Sequence, residues 1–192
     1  MLNIVLIRTG ATEYDGQGRV QGTLDIPLSE DGRQQVELVA NQLCTGSIDA
    51  MYAGPCRATK QSAEILAEQL QLKAKTVVEL QNLNHGLWQG MLIEDVKAKQ
   101  PKVYRQWQEH PETMCPPEGE SLQAVRERLR HAMAKIAKRQ KSGIVAIVVS
   151  EPVTSVLRNV LRDDDLGNLW QVDCERQPPW ELIEMPATVA SG

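Results

Sequence analysis

Hydrophobic positions along this chain alternate between two patterns. Continuous apolar runs at "LNIVLI" (2–7), "IDAMYA" (48–53), "KTVVEL" (75–80) and "GIVAIVV" (143–149) have the length and β-branched content of strands. Between them the apolar residues recur at helical spacing. Val36, Val39, Ala40 and Leu43 predict a helix over 29–44, with Glu30 and Asp31 suited to its positive end. Ala58, Ile65, Leu66 and Leu70 predict a second over 56–70. Leu122, Val125, Leu129, Ala132, Met133 and Ile136 predict a long one stopped by Gly143, and Pro152 opens a further helix over 152–161. Residues 86–90 read as a turn, short helical pieces flank Pro101, and "HPETMCPPEGES" (110–121) reads as a loop. "LWQVD" (169–173) and "PWELIEM" (179–185) can add edge strands.

Strands alternating with helices imply an α/β fold, with a mostly parallel central sheet between two layers of helices. "GIVAIVV" is apolar throughout, as a central strand covered on both faces must be. Ligands of such sheets bind beyond the carboxyl ends of the strands. That singles out three segments: 8–22 after the first strand, "GPCRATK" (54–60) after the second, and "SEPV" (150–153) after "GIVAIVV". No repeat or low-complexity linker divides the 192 residues, so 1–192 is read as one domain.

Composition narrows the function classes. A hydrophobic fraction of 42% and a charged fraction of 24% are ordinary for a globular protein. The net charge of −4, with no basic stripe, argues against nucleic acid. The apolar runs are too short to span a bilayer and the N-terminus lacks a signal-peptide layout, so no membrane association and a cytoplasmic location are expected. Cys44, Cys56, Cys115 and Cys174 show no Cys-x-x-Cys spacing, and His85, His110 and His131 show no metal-ligand spacing. Neither metal nor cofactor is expected. Cys56 reads as a small buried hydrophobe, His131 as a surface residue, and the four tryptophans, in a chain without Phe, as core fillers.

Among the chemical motifs, the glycine spacing of "GQGRVQG" does not fit a dinucleotide loop, and there is no phosphate-loop Gly-Lys-Ser/Thr and no Gly-x-Ser-x-Gly elbow. What stands out is a pair of arginines at strand-to-helix corners, Arg8 and Arg57. Guanidinium forks bind phosphate or carboxylate with two parallel hydrogen bonds. The spacing leaves open whether the two share a site or are separately salt-bridged.

The order of blocks resembles the histidine phosphatase superfamily, also called phosphoglycerate mutase-like. In "LIRTGATEYDGQGRVQGTLDIPLSEDGRQQ" the matching positions are Arg8, Gly10, Gly18, Arg19, Gln21, Gly22, Asp25, Pro27, Leu28 and Gly32. "YAGPCRATKQSAEIL" is similar to the block carrying the second phosphate-binding arginine, here Arg57. "LNHGLWQG", "PPEGESLQAVRERL" and "IVAIVVSEPVTSVLRNVL" resemble the later blocks. The resemblance implies a phosphoglycerate mutase-like three-layer α/β/α sandwich. It also implies phosphatase or phosphomutase chemistry through phosphohistidine, with a carboxylic acid protonating the leaving oxygen.

The chain departs from that pattern at each reactive position. Thr9 stands where the nucleophilic histidine belongs, Asn82 where the acid belongs, and Glu151 where the second histidine belongs. Glu79 is the alternative acid if the loop runs differently. Asp15 stands where the family often has a phosphate-touching asparagine, and Pro152 and Val153 replace glycines. With no intact catalytic group, the anion-binding candidates are Arg8, Arg57, Asp15, Arg19 and Gln21. The Glu151 carboxylate is expected to fill part of the anion's space. The expected function is that of a pseudoenzyme with a remnant anion crevice, binding a small phosphorylated or carboxylate ligand, a protein partner or a second copy. Altered phosphomonoester hydrolase or phosphomutase activity, and a structural oligomer subunit, are the alternatives.

Overall fold

The structure is a computed structural model that describes residues 1–44, 46–162, 166, 169, 179–186 and 189. In chain order its elements are β1 (Leu2–Arg8), α1 (Glu13–Gly16), α2 (Glu30–Leu43), β2 (Ala50–Ala53), α3 (Arg57–Leu70), β3 (Ala74–Thr76), α4 (Ile93–Lys99), α5 (Pro101–Glu109), α6 (Leu122–Arg139), β4 (Gly143–Val149), α7 (Val153–Arg162) and β5 (Trp180–Glu184). The sheet runs β3-β2-β4-β1-β5, parallel except for β5, which pairs antiparallel with β1.

Strand alternation divides the core in two. Leu2, Ile4 and Leu6 of β1 and Val145, Ile147 and Val149 of β4 point to the face covered by α6, α7 and the α4–α5 pair. Val5 and Ile7 of β1 and Ala146 and Val148 of β4 point to the face covered by α2 and α3. Period-two alternation on strands buried on both sides produces the three layers expected from the sequence. Trp88 and Trp107 are fully buried and meet edge to face, with ring centroids 6.0 Å apart.

Local signals start the helices where expected. Ser29 Oγ accepts the Gly32 N–H at 3.0 Å at the head of α2, and Ser121 Oγ accepts that of Ala124 at 3.2 Å at the head of α6. One expected strand is cut short. Of "KTVVEL" only Lys75 and Thr76 belong to β3, and Val78–Leu80 form a 3-10 turn. β3 is an exposed edge strand paired only with Met51–Ala53, whereas the turn carries Leu80 into the core. Burial of Leu80 outweighs the β-propensity of the valines. α1, not expected, is one capped turn within 8–22. "PWELIEM" supplies β5, and "LWQVD" beyond Leu169 lies outside the described residues. Among the described residues no helix is long and apolar enough to cross a membrane.

Candidate functional site

Parallel pairing levels the ends of three strands. Arg8 is in register with Val149, and Ala53 with Val148. Beyond these ends three hydroxyl groups meet. Thr9 Oγ1 donates to Ser150 Oγ at 3.5 Å, and Ser150 Oγ lies 3.0 Å from Thr59 Oγ1 in the first turn of α3. Ser62, buried one turn further along α3, accepts the Gly10 N–H at 3.3 Å. The corners after β1, β2 and β4 are therefore stitched together.

Arg8, the last residue of β1, is half-buried, and Arg57, the first of α3, is exposed. Neither side chain has a hydrogen bond or direct ion pair with another described residue; Arg8 interacts with Glu151 only through its charge. Cys56 gives α3 no side-chain cap. Asp25 Oδ1 instead accepts the Arg57 N–H at 2.8 Å, which places a carboxylate at the positive end of the helix.

The other loop candidates are occupied in holding the loop. Asp15 Oδ2 accepts the Thr12 N–H at 2.6 Å and the Thr12 hydroxyl at 2.7 Å, completing a capping box on α1. Arg19 donates from Nη1 to Gly90 O at 2.7 Å and from Nε to Gln17 Oε1 at 2.9 Å, so its fork fastens the loop to the Gly86–Trp88 turn region. Gln21 Oε1 accepts from Thr12 Oγ1 at 3.1 Å, whereas Gln21 Nε2 is buried without a hydrogen-bond partner among the described residues.

Asn82 is a tie between loops. Its Nδ2 donates to Gly22 O at 3.0 Å and to Glu151 O at 2.9 Å, and its Oδ1 accepts the Leu83 N–H at 2.9 Å. Arg128 of α6 fixes the backbone from beneath, donating to Glu79 O at 2.6 Å, Gln81 O at 2.9 Å and Asn82 O at 3.3 Å. The same guanidinium holds Glu120 through both carboxylate oxygens, at 2.7 and 2.9 Å. Glu79, the alternative acid, points elsewhere. Its carboxylate pairs with Lys135 at 2.5 Å, a hydrogen bond that lowers its pKa, the opposite of what a proton donor needs.

Glu151 is held by the first turn of the helix that it precedes. Its carboxyl turns toward its own helix, where Oε2 accepts the Ser155 N–H at 3.2 Å and the Ser155 hydroxyl at 3.0 Å. Oε1 is buried without a hydrogen-bond partner among the described residues. Burial raises the Glu151 pKa; the Ser155 hydrogen bonds and the charges of Arg8 and Arg158 oppose that rise. Of the two candidate arginines, Arg8 is the one whose charge acts on this carboxyl.

The reading from sequence missed Ser150, Thr59, Ser155 and Arg128. A signal existed for one of them. Thr59, like Ser62, is a polar residue on the buried stripe of α3, where a hydroxyl needs a partner. Arg128 and Glu120 pair across a helix start, and nothing in their spacing announces the carbonyls that Arg128 gathers.

Residues 4–184 match the Histidine phosphatase superfamily (branch 1). The chain is 31% identical over 175 residues to Phosphoserine phosphatase 1 of Hydrogenobacter thermophilus, covering 91% of this chain and 83% of that protein. It is also 31% identical over 133 residues to a Probable phosphoglycerate mutase GpmB of Yersinia enterocolitica, covering 69% of this chain and 62% of that relative. Among solved structures, a mycobacterial glucosyl-3-phosphoglycerate phosphatase complexed with VO3 superposes with a TM-score of 0.80 at 27% identity, over 88% of this chain and 85% of that one. Bacillus stearothermophilus YhfR superposes with a TM-score of 0.84 over 97% of this chain and 93% of its own, at 23% identity, a likeness of fold alone.

Proposed function

The chain belongs to the histidine phosphatase superfamily, branch 1, and from that premise we propose that it is a member without phosphoryl-transfer chemistry that binds an oxyanion at Arg8 and Arg57. One observation carries the reading: the side chains at the three reactive positions are spent on internal hydrogen bonds. Thr9 is bonded to Ser150, Asn82 to two backbone carbonyls, and Glu151 to Ser155. A threonine hydroxyl needs a neighbouring base to become a nucleophile, and its partner here is another hydroxyl. An amide delivers no proton as an acid. The two arginines, by contrast, keep their guanidinium groups unengaged by described side chains, as groups awaiting a ligand would.

The ligand is a small phosphorylated or carboxylate compound, in keeping with relatives named for phosphorylated substrates. Among the described residues the cysteines are free, Cys44 and Cys115 exposed and Cys56 buried, in keeping with a reducing cytoplasm. The test has two arms. Turnover of phosphoserine and of a generic phosphomonoester should not exceed background, and a crystal grown in sulfate should hold the oxyanion between Arg8 and Arg57. Robust turnover would restore the enzymatic reading. A site empty at high sulfate would leave a structural role.

A further inference from the structure

The crevice holds a group that its binding role does not use. The Glu151 carboxyl sits at the head of α7, directly after the central strand β4, with its backbone carbonyl tied to Asn82 Nδ2 at 2.9 Å. Its two oxygens are unequal. Oε2 accepts two hydrogen bonds from Ser155, so a proton on this carboxyl resides on Oε1, the oxygen buried without a partner. A carboxylate with an orphaned, desolvated oxygen is costly, and protonation relieves that cost.

The surrounding charges come from several elements. Arg8 acts on Glu151 from the end of β1, and Arg158 acts from α7 itself. Arg158 is committed to Glu181 of β5, which also pairs with Arg162 at 2.7 Å. Arg57, at the head of α3 with Asp25 bonded to its N–H, is exposed at the adjoining corner. Asn82 is neutral, and His85 beyond it is buried, with a pKa pressed down to about 4 by desolvation. Arg8 is thus the cation that both Glu151 and an incoming anion draw upon.

Resting on the crevice reading above, we propose that Glu151 couples occupation of the Arg8 site to protonation, so that the site takes up an oxyanion together with a proton. When Glu151 is ionised, its charge competes for Arg8 and repels the ligand. When it takes a proton from solvent on Oε1, the full charge of Arg8 faces the ligand. Linkage makes the effect reciprocal: an anion beside Arg8 withdraws stabilisation from the Glu151 carboxylate and so promotes its protonation. The direction follows. Affinity falls as pH rises through the titration of Glu151, by up to about tenfold per pH unit for coupling to a single proton.

Sulfate is the suitable probe, because its own charge does not change between weakly acidic and weakly basic pH. Calorimetric titration at one ionic strength, in two buffers of different ionisation heat, should show proton uptake on binding. In Glu151→Gln, sulfate should bind with the affinity of the acid form at every pH and without proton uptake. Equal uptake by the parent and Glu151→Gln overturns the proposal while leaving the crevice intact. Absence of sulfate binding at any pH removes the crevice reading, and this coupling with it. A ligand-free measurement separates the two failures. The carboxyl carbon resonance of Glu151 should titrate at higher pH in Arg8→Met than in the parent, and an unchanged midpoint means that Arg8 and Glu151 are not coupled.

Discussion

His85 and Glu151 pull the acid stability of the protein in opposite directions, and each can be isolated. His85 is 4% exposed and packs edge-on against Trp107, with ring centroids 5.9 Å apart. Desolvation lowers its pKa from 6.5 to about 4, against a smaller opposing effect of a hydrogen bond with the Leu83 backbone. Between those values the unfolded chain binds the proton that the folded ring refuses. Stability is therefore full above the unfolded value and declines as pH falls, by about 3 kcal/mol from this group. Urea midpoints measured from about pH 7 down to about pH 4.5 should fall in the parent, and the decline should be flatter in His85→Gln. Glu151 has the reverse sign. Its folded pKa is raised by burial, so its contribution is full below the unfolded value and is lost as pH rises through the folded one. Glu151→Gln should accordingly be more stable than the parent at about pH 8, with the gap closing on acidification. A gap that does not change with pH would mean that the carboxyl is ionised in the fold throughout.

Between elements, the site depends on two contacts that hold loops rather than touch a ligand. Arg128 joins α6 to residues 79–82 through three carbonyls and to Glu120 through a paired carboxylate, and its side chain is 15% exposed. Arg128→Ala leaves those carbonyls and the Glu120 charge without their donor, at a cost of about 3 kcal/mol. Lysine should recover little, because a single ammonium cannot reproduce the planar fork. Since Asn82 lies on the same segment and bonds to Gly22 and Glu151, loosening should spread. Amide exchange near Leu83 should accelerate along with that of the 8–22 loop, and acceleration confined to α6 would show that Asn82 does not join the loops. The second contact is backbone against backbone. A Cβ at Gly10 would sit 2.1 Å from Gly32 O, and one at Gly32 2.0 Å from Ala11 O. The turn after β1 can meet the head of α2 only where both residues lack side chains. Gly10→Ala should cost about 3 kcal/mol by urea unfolding, at the upper end for overpacking.

Across the whole molecule, the proposed loss of phosphoryl-transfer chemistry is spread over three loops and cannot be reversed at one. Thr9→His alone should give no detectable phosphohistidine and no turnover, because nucleophile, acid and charge stabiliser act as a unit. Single-turnover assays with a phosphomonoester check this, and activity in that single variant would show that Asn82 or Glu151 already serves the reaction. The architecture itself was legible in the chain. Apolar runs marked β1, β2 and β4, helical periodicity marked α2, α3, α6 and α7, and ordered glycines, arginines and prolines pointed to the family. These are local signals, since whether a side chain can face a core is decided within a few residues. The expected strand at "KTVVEL" failed where that locality ended, because an edge position left β3 three residues and the core drew Leu80 into a turn. The sequence by itself determined the layers and which loops follow the carboxyl ends of β1, β2 and β4. Tertiary structure alone decided how those residues are used. Thr9 meets Ser150 across 141 positions of chain, Asn82 reaches the Glu151 carbonyl across 69, and the Glu151 carboxyl is desolvated by burial while the charges of Arg8 from β1 and Arg158 from α7 act on it. Hydrogen-bond partners and local dielectric are set by what folding brings into contact, and neither is a property of a residue or its neighbours in sequence.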